Sequence, residues 1–150
     1  HDCLLARPKN ARVEAYLGRV DLLKLSLEDA RLLFPEAPLE AVRRLPPRLK
    51  VLTLGPEGAL AFLGEGEVRV PGVRVRVVDT VGAGDAFTAG LLALLLRRGG
   101  GRGVLEGLDL EGLREALEAA VALSALACTV RGAGLPEEGL AAWRARWLAG

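Results

Sequence analysis

The chain has 150 residues, 51% of them hydrophobic and 26% charged, with a net charge of +1; this is the composition of a single soluble globular domain long enough to bury a sizeable core. So small a net charge, with only 4% aromatic residues, argues against nucleic acid or an anionic membrane as a partner. The longest near-apolar run, Ala86 to Leu96, falls far short of the ~20 residues a spanning helix needs.

Two cysteines, Cys3 and Cys128, lie far apart and form no metal-ligand spacing. Reduced thiols in a cytoplasmic protein are the expectation, with a disulfide between them as the other reading. No basic region followed by an apolar one opens the chain, so no signal peptide is expected. The sequence begins His1-Asp2-Cys3 and contains no Met, which suggests a processed, truncated or partial chain.

In chain order, Val20 to Leu25 reads as a short buried strand. Ser26 is placed as the N-cap of a helix, with Asp29 three positions on as a weak capping box and Pro35 as the stop. A second short helix is predicted from Pro38 to Leu45, ended by Pro46-Pro47. Leu49 to Leu54 reads as another buried strand, followed by the turn Gly55-Pro56-Glu57-Gly58 and a strand from Ala59 to Leu63. Gly64-Glu65-Gly66 signals a hairpin returning through Glu67 to Val70. Val73 to Val78 alternates apolar and basic residues, the pattern of a half-exposed strand. Long helices are predicted from about Ala83 to Arg98, from Leu110 to Thr129 with Asp109 as cap, and from Pro136 to Leu148, with a loop over Gly99 to Gly103. Trp143 and Trp147, four apart, would form one packing face of the last helix. The whole reads as one α/β domain over residues 1–150, a mostly parallel sheet with helices and one antiparallel hairpin.

The chemistry is concentrated in Val77 to Gly90, which contains Asp79-Thr80-Val81-Gly82-Ala83-Gly84-Asp85. A glycine-rich turn opening a helix aims backbone N–H groups at one spot, where the positive end of the helix dipole adds to them. That spot can hold phosphate oxygens or charge developing in a transition state. The carboxylate of Asp85, placed there, can take a proton from a hydroxyl nucleophile. A base beside an anion hole suits phosphoryl transfer to an alcohol. A Walker loop is excluded because no Lys-Ser/Thr pair follows these glycines, and a dinucleotide fingerprint because Phe87 stands at the third glycine position.

The run Asp79 to Asp85, followed by Ala86-Phe87 and Gly90, resembles the C-terminal signature of the ribokinase-like (PfkB) carbohydrate kinases, and the likeness extends over about Val20 to Ala133. It implies a ribokinase-like α/β fold of which this chain is the C-terminal, nucleotide-binding half. It implies Asp85 as catalytic base, the backbone of Gly82, Ala83 and Gly84 as anion hole, and Asp79 and Thr80 at positions that hold a monovalent cation such as K+ in some members. Thr53-Leu54-Gly55-Pro56-Glu57-Gly58 is similar to the family's T-x-G-x-x-G turn, placing Thr53, Gly55 and Gly58 at the nucleotide, although the same residues also suit a plain hairpin turn. Lys24 to Asp29 is similar to its N-x-x-E segment, which works through Mg²⁺, with Ser26 and Asp29 where Asn and Glu are common and Glu28 one position off. A helix N-cap with acidic first-turn residues explains these positions equally. Ala127-Cys128-Thr129-Val130-Arg131-Gly132-Ala133 resembles the ending of fructokinase-like members, in which the helix before it flanks the adenine, although many have Asn near the position of Val121. Asp2 to Pro8 departs most from the family.

The resemblance therefore implies ATP and Mg²⁺ as cofactors and transfer of a phosphoryl group to a small-molecule sugar. A fructokinase-like substrate is the first choice; ribokinase-like and 2-keto-3-deoxygluconate kinase-like substrates come next. A full member has about twice this length, so the sugar-binding half is missing. The chain is expected to form a homo-oligomer or to pair with that half. The alternative is a non-catalytic nucleotide-binding or oligomerising remnant.

Overall fold

The computed structural model describes residues 15–99 and 103–149. Expectations placed on His1 to Pro8, including Cys3, lie outside those residues. The chain parts into two compact units: residues up to Leu54 with Leu60–Val68, and Gly55–Ala59 with Arg69 onward.

The first unit is built on a four-stranded sheet in the order β1 (Leu22–Ser26), β2 (Leu49–Thr53), β3 (Ala59–Leu63), β4 (Gly66–Val70). The last strands run a residue or two into the other unit. Strands β1 and β2 pair in parallel, with Leu22 opposite Leu49 and Ser26 opposite Thr53. The chain crosses between them through helices α1 (Leu27–Leu33) and α2 (Pro38–Arg43). The connections after β2 and β3, over residues 54–58 and 64–65, are of hairpin length, too short for the crossover a parallel neighbour needs. Helix α1 starts where expected, because the Ser26 hydroxyl accepts the Asp29 N–H at 3.0 Å. Helix α2 starts at a proline, whose missing N–H costs nothing at that position.

Ala30 and Val42 of these helices pack with Leu45, Leu52, Leu60 and Phe62 into one buried cluster. Full burial of such side chains contributes about 1.5–3 kcal/mol each. Beside the cluster, Lys50 is only 5% exposed. Its ammonium group donates to the carbonyls of Arg43 and Leu45, both at 3.0 Å, and so closes the C-terminal end of α2. Burial first, and the nearby Arg43 charge second, push the Lys50 pKa below its ordinary value.

The second unit is helical. Helix α3 (Ala83–Arg97) buries Ala86, Phe87, Gly90, Leu91, Leu94 and Leu95, one face at helical spacing. It lies against α5 (Leu110–Ala127), and a Cβ added at Gly90 would sit 3.1 Å from the Ala120 Cα. Glycine at that point sets how closely the two helices approach. Asp109 caps α5 as expected, accepting the Gly112 N–H at 2.7 Å. Helix α6 (Glu137–Trp147) docks through buried Trp143, whose indole N–H donates to the Ala119 carbonyl at 2.8 Å. A short helix not foreseen from the sequence, α4 (Gly103–Glu106), precedes α5.

The expected strand over Val73 to Val78 does not form. The segment lies outside the sheet and in no helix, with Val73, Val77 and Val78 49%, 59% and 52% exposed. Alternation of apolar and basic residues describes the faces a strand would have, but a strand also requires a neighbour to take its N–H and C=O groups. Here the Val78 N–H goes instead to the carbonyl of Cys128 at the end of α5, at 2.8 Å.

Candidate active site

The glycine-rich turn lies in the second unit and opens α3. Gly82 has φ 82°, a left-handed conformation, and serves as N-cap without a side-chain hydrogen bond. Glycine adopts this conformation without the penalty other residues carry. Asp85 falls in the first helical turn and is exposed. Its carboxylate thus sits at the positive end of a fifteen-residue helix. Gly84 is exposed beside it, and Gly82 and Ala83 are half-buried. The Ala83 N–H already donates to the Thr80 carbonyl at 3.2 Å. The Ala83 amide, read as part of an anion hole, is thus committed within the turn.

Asp79 precedes the turn, and both its carboxylate oxygens are engaged. Oδ1 accepts the Val81 N–H at 3.1 Å and Oδ2 accepts the Gly132 N–H at 2.9 Å. The Gly132 bond first, then that from Val81, with a smaller part from Thr80, hold the Asp79 carboxyl below the usual carboxylate range against a slight opposing effect of burial. The segment Ala127 to Ala133, similar to the fructokinase-like ending, is therefore joined to the turn. A Cβ on Gly82 would lie 3.3 Å from the Ala133 Cα. Helix α5 adds a contact that had no sequence signal: the Ser124 hydroxyl donates to the Ala83 carbonyl at 3.0 Å. Cys128 is a half-buried free thiol.

Gly55 and Gly58 also belong to the second unit, in a single 3₁₀ turn over Gly55–Glu57 and the residue after it. Both have positive φ, 58° and 101°. A Cβ on Gly58 would fall 2.0 Å from the Val70 carbonyl oxygen, so only glycine fits there.

The remaining predicted residues lie in the first unit. Parallel register brings Ser26 and Thr53 side by side at the C-terminal ends of β1 and β2, the end of a parallel pair where ligands gather in open α/β sheets. Glu28 and Asp29 follow in the exposed first turn of α1. Among the described residues no group of three or more His, Cys, Asp or Glu side chains could hold a metal ion. Mg²⁺ needs only one or two carboxylates when phosphates and water complete its shell, so the acidic pair fits such a role. Among the described residues no helix is long and apolar enough to cross a membrane.

The pfkB family carbohydrate kinase pattern matches residues 1–139, and the chain belongs to that family. It is 44% identical over 132 residues to a probable chloroplastic fructokinase-6 of Arabidopsis thaliana, covering 83% of this chain and 33% of that protein. It is 45% identical over 83 residues to an aminoimidazole riboside kinase of Salmonella typhimurium, covering 55% of this chain and 24% of that protein. Among solved structures, a Vibrio cholerae fructokinase double mutant with fructose, ADP and potassium ion bound superposes with TM-score 0.66 at 29% identity, covering 85% of this chain and 42% of that one. An aminoimidazole riboside kinase of Salmonella enterica, complexed with aminoimidazole riboside and an ATP analogue, gives TM-score 0.67 at 28% identity, covering 92% and 48%. The chain thus spans about a quarter to a third of these curated relatives and less than half of these solved chains.

Proposed function

We propose that this chain is the nucleotide-binding and catalytic part of an ATP-dependent sugar kinase. The observation that carries the reading is the turn that sets Asp85, exposed, in the first turn of α3 directly after left-handed Gly82. In the proposed reaction the sugar hydroxyl attacks the γ-phosphorus of ATP. The new O–P bond forms as the bond to the β-phosphate oxygen breaks, ADP leaves, and the hydroxyl proton passes to Asp85. The amides of Gly82 and Gly84 and the α3 dipole would stabilise charge on the transferring group. Mg²⁺, when bound, neutralises phosphate charge; Glu28 and Asp29 are the residues we assign to it, and Thr53, Gly55, Gly58 and Thr80 to the nucleotide. A K+-like ion near Asp79 is part of the same reading, supported by the potassium-bound fructokinase among the similar structures. Fructose-like sugars are the first choice of acceptor, as the 44% identical relative is named a fructokinase. The reading also includes a single α/β domain, a cytoplasmic location, and association with a second copy or with the half that completes the fold.

A non-catalytic nucleotide-binding or oligomerising remnant is the second reading. Calorimetry of ATP with Mg²⁺, alongside sugar-dependent ADP release, separates the two. Binding by both the parent and Asp85→Asn, with turnover by the parent alone and a loss of about 10²–10⁴-fold in the variant, supports the kinase. Binding without turnover in either points to a half-enzyme that needs its sugar-binding part or to the remnant, and no nucleotide binding sinks both.

A further inference from the structure

Three groups on α5 and the loop after it reach the turn of Asp79 to Gly84. One is main chain: the Cys128 carbonyl accepts the N–H groups of Val78 and Asp79 at 2.8 and 3.2 Å. The other two contacts use side chains, Ser124 to the Ala83 carbonyl and Asp79 to the Gly132 N–H.

Serine within a helix commonly returns its hydroxyl to a carbonyl one turn back. Thr88 does so, donating to Gly84 at 3.1 Å, and Thr129 donates to Leu126 at 2.7 Å. Ser124 instead crosses from α5 to the first residue of α3. The consequence lies in the peptide it touches. A trans peptide is planar, with its C=O and N–H on opposite sides. Fixing the Ala83 carbonyl toward α5 therefore fixes the Gly84 N–H on the side away from Ser124. Asp79 works one step earlier. It pins the Val81 N–H with one oxygen and the loop at Gly132 with the other, so the entry to Gly82 cannot swing independently of that loop.

We infer that Ser124 and Asp79 are positioning residues that aim the Gly82 and Gly84 amides, coupling the anion-binding turn to the C-terminal end of α5. The inference rests on the proposed nucleotide role of that turn. Preorganised donors stabilise charge only when their direction is set in advance, and glycines alone leave that direction loose.

The test compares the parent with Ser124→Ala and Asp79→Asn. Calorimetry with ATP and with ADP, each with Mg²⁺, is paired with amide hydrogen exchange read by NMR. In Ser124→Ala, loss of the aiming hydrogen bond should lower the preference for ATP over ADP about fivefold, with ADP affinity held within about twofold; Asp79→Asn is read by exchange. Exchange should quicken at Gly84 in Ser124→Ala, and at Val81 and Gly132 in Asp79→Asn. An unchanged ATP-to-ADP preference in Ser124→Ala, or equal weakening of both nucleotides by it, overturns the inference, because a merely structural role would not separate them. Should the parent bind neither nucleotide, the kinase reading fails and exchange decides. Faster exchange at those amides then upholds the two residues as the turn's tethers, and unaltered exchange removes them.

Discussion

Two glycine-rich turns of the second unit, Gly55–Gly58 and Gly82–Gly84, look alike in sequence and are held in place by different physics. In the first, backbone crowds backbone. A side chain on Gly58 would overlap the Val70 carbonyl oxygen at 2.0 Å, and one on Gly72 the Pro56 carbonyl oxygen at 1.9 Å. In the second, the nearest atom to a Cβ on Gly82 is 3.3 Å away, and position comes from hydrogen bonds through Asp79 and Ser124. A turn fixed by crowding holds its shape without help from side chains. A turn fixed from behind by hydrogen bonds can leave a face for a ligand, and this is the turn that carries Asp85.

The contrast breaks most directly at Gly58. Gly58→Ala combines positive φ with overlap against main-chain atoms that cannot rotate away, and should cost about 4 kcal/mol or more, read from urea denaturation. A loss below about 1 kcal/mol would show that the turn relaxes and that crowding does not hold it.

A buried counterpart of the hydrogen-bonded turn sharpens the comparison in the first unit. Lys50 holds the end of α2 through two carbonyls, from a site that is 5% exposed. Lys50→Met leaves both acceptors without that donor and should cost about 2 kcal/mol at neutral pH. The folded state lowers the Lys50 pKa from its ordinary 10.5, so between the lowered value and 10.5 the folded chain binds fewer protons than the unfolded one. Stability from this group then rises with pH across that window, as the neutral amine keeps its bonds and sheds the cost of a buried charge. The gap between the parent and Lys50→Met should widen from pH 7 toward pH 10. A gap that narrows would mean that the ammonium charge itself is favourable there.

Features set by near neighbours in the chain were legible in the sequence. The Ser26 and Asp109 caps, the strand Ala59–Leu63 and the opening of α3 at Ala83 fall where short-range pattern puts them. Asp85 was legible for the same reason, because its helix-start setting is built by the residues just before it. What failed depends on distant partners. Val73 to Val78 has a strand's alternation and no strand beside it. Ser124 is one hydroxyl in an apolar helix, and nothing local says whether it returns to its own helix or crosses to Ala83. Gly132 drew notice as part of a motif, but its bond to Asp79 spans 53 positions. The need for glycine at 58 was visible as a turn, whereas its cause, the Val70 carbonyl, arrives only when β4 returns.

The smallest stability effect is expected at Gly82, and there the comparison is most exposed to failure. Alanine at φ 82° carries a left-handed penalty of about 1–2 kcal/mol. The added methyl meets Ala133 at 3.3 Å, in an exposed stretch that can shift by a few tenths of an ångström. Gly82→Ala should therefore lose about 1–2 kcal/mol in urea denaturation, well under half the cost at Gly58. A shift of the turn misaims the amides beside Asp85, so ATP affinity should fall about tenfold. Equal stability losses at the two glycines would mean that both turns are held by crowding. A Gly82→Ala protein that keeps full ATP affinity would separate the turn's shape from nucleotide binding, and the ligand would then have to be held by the rest of the chain.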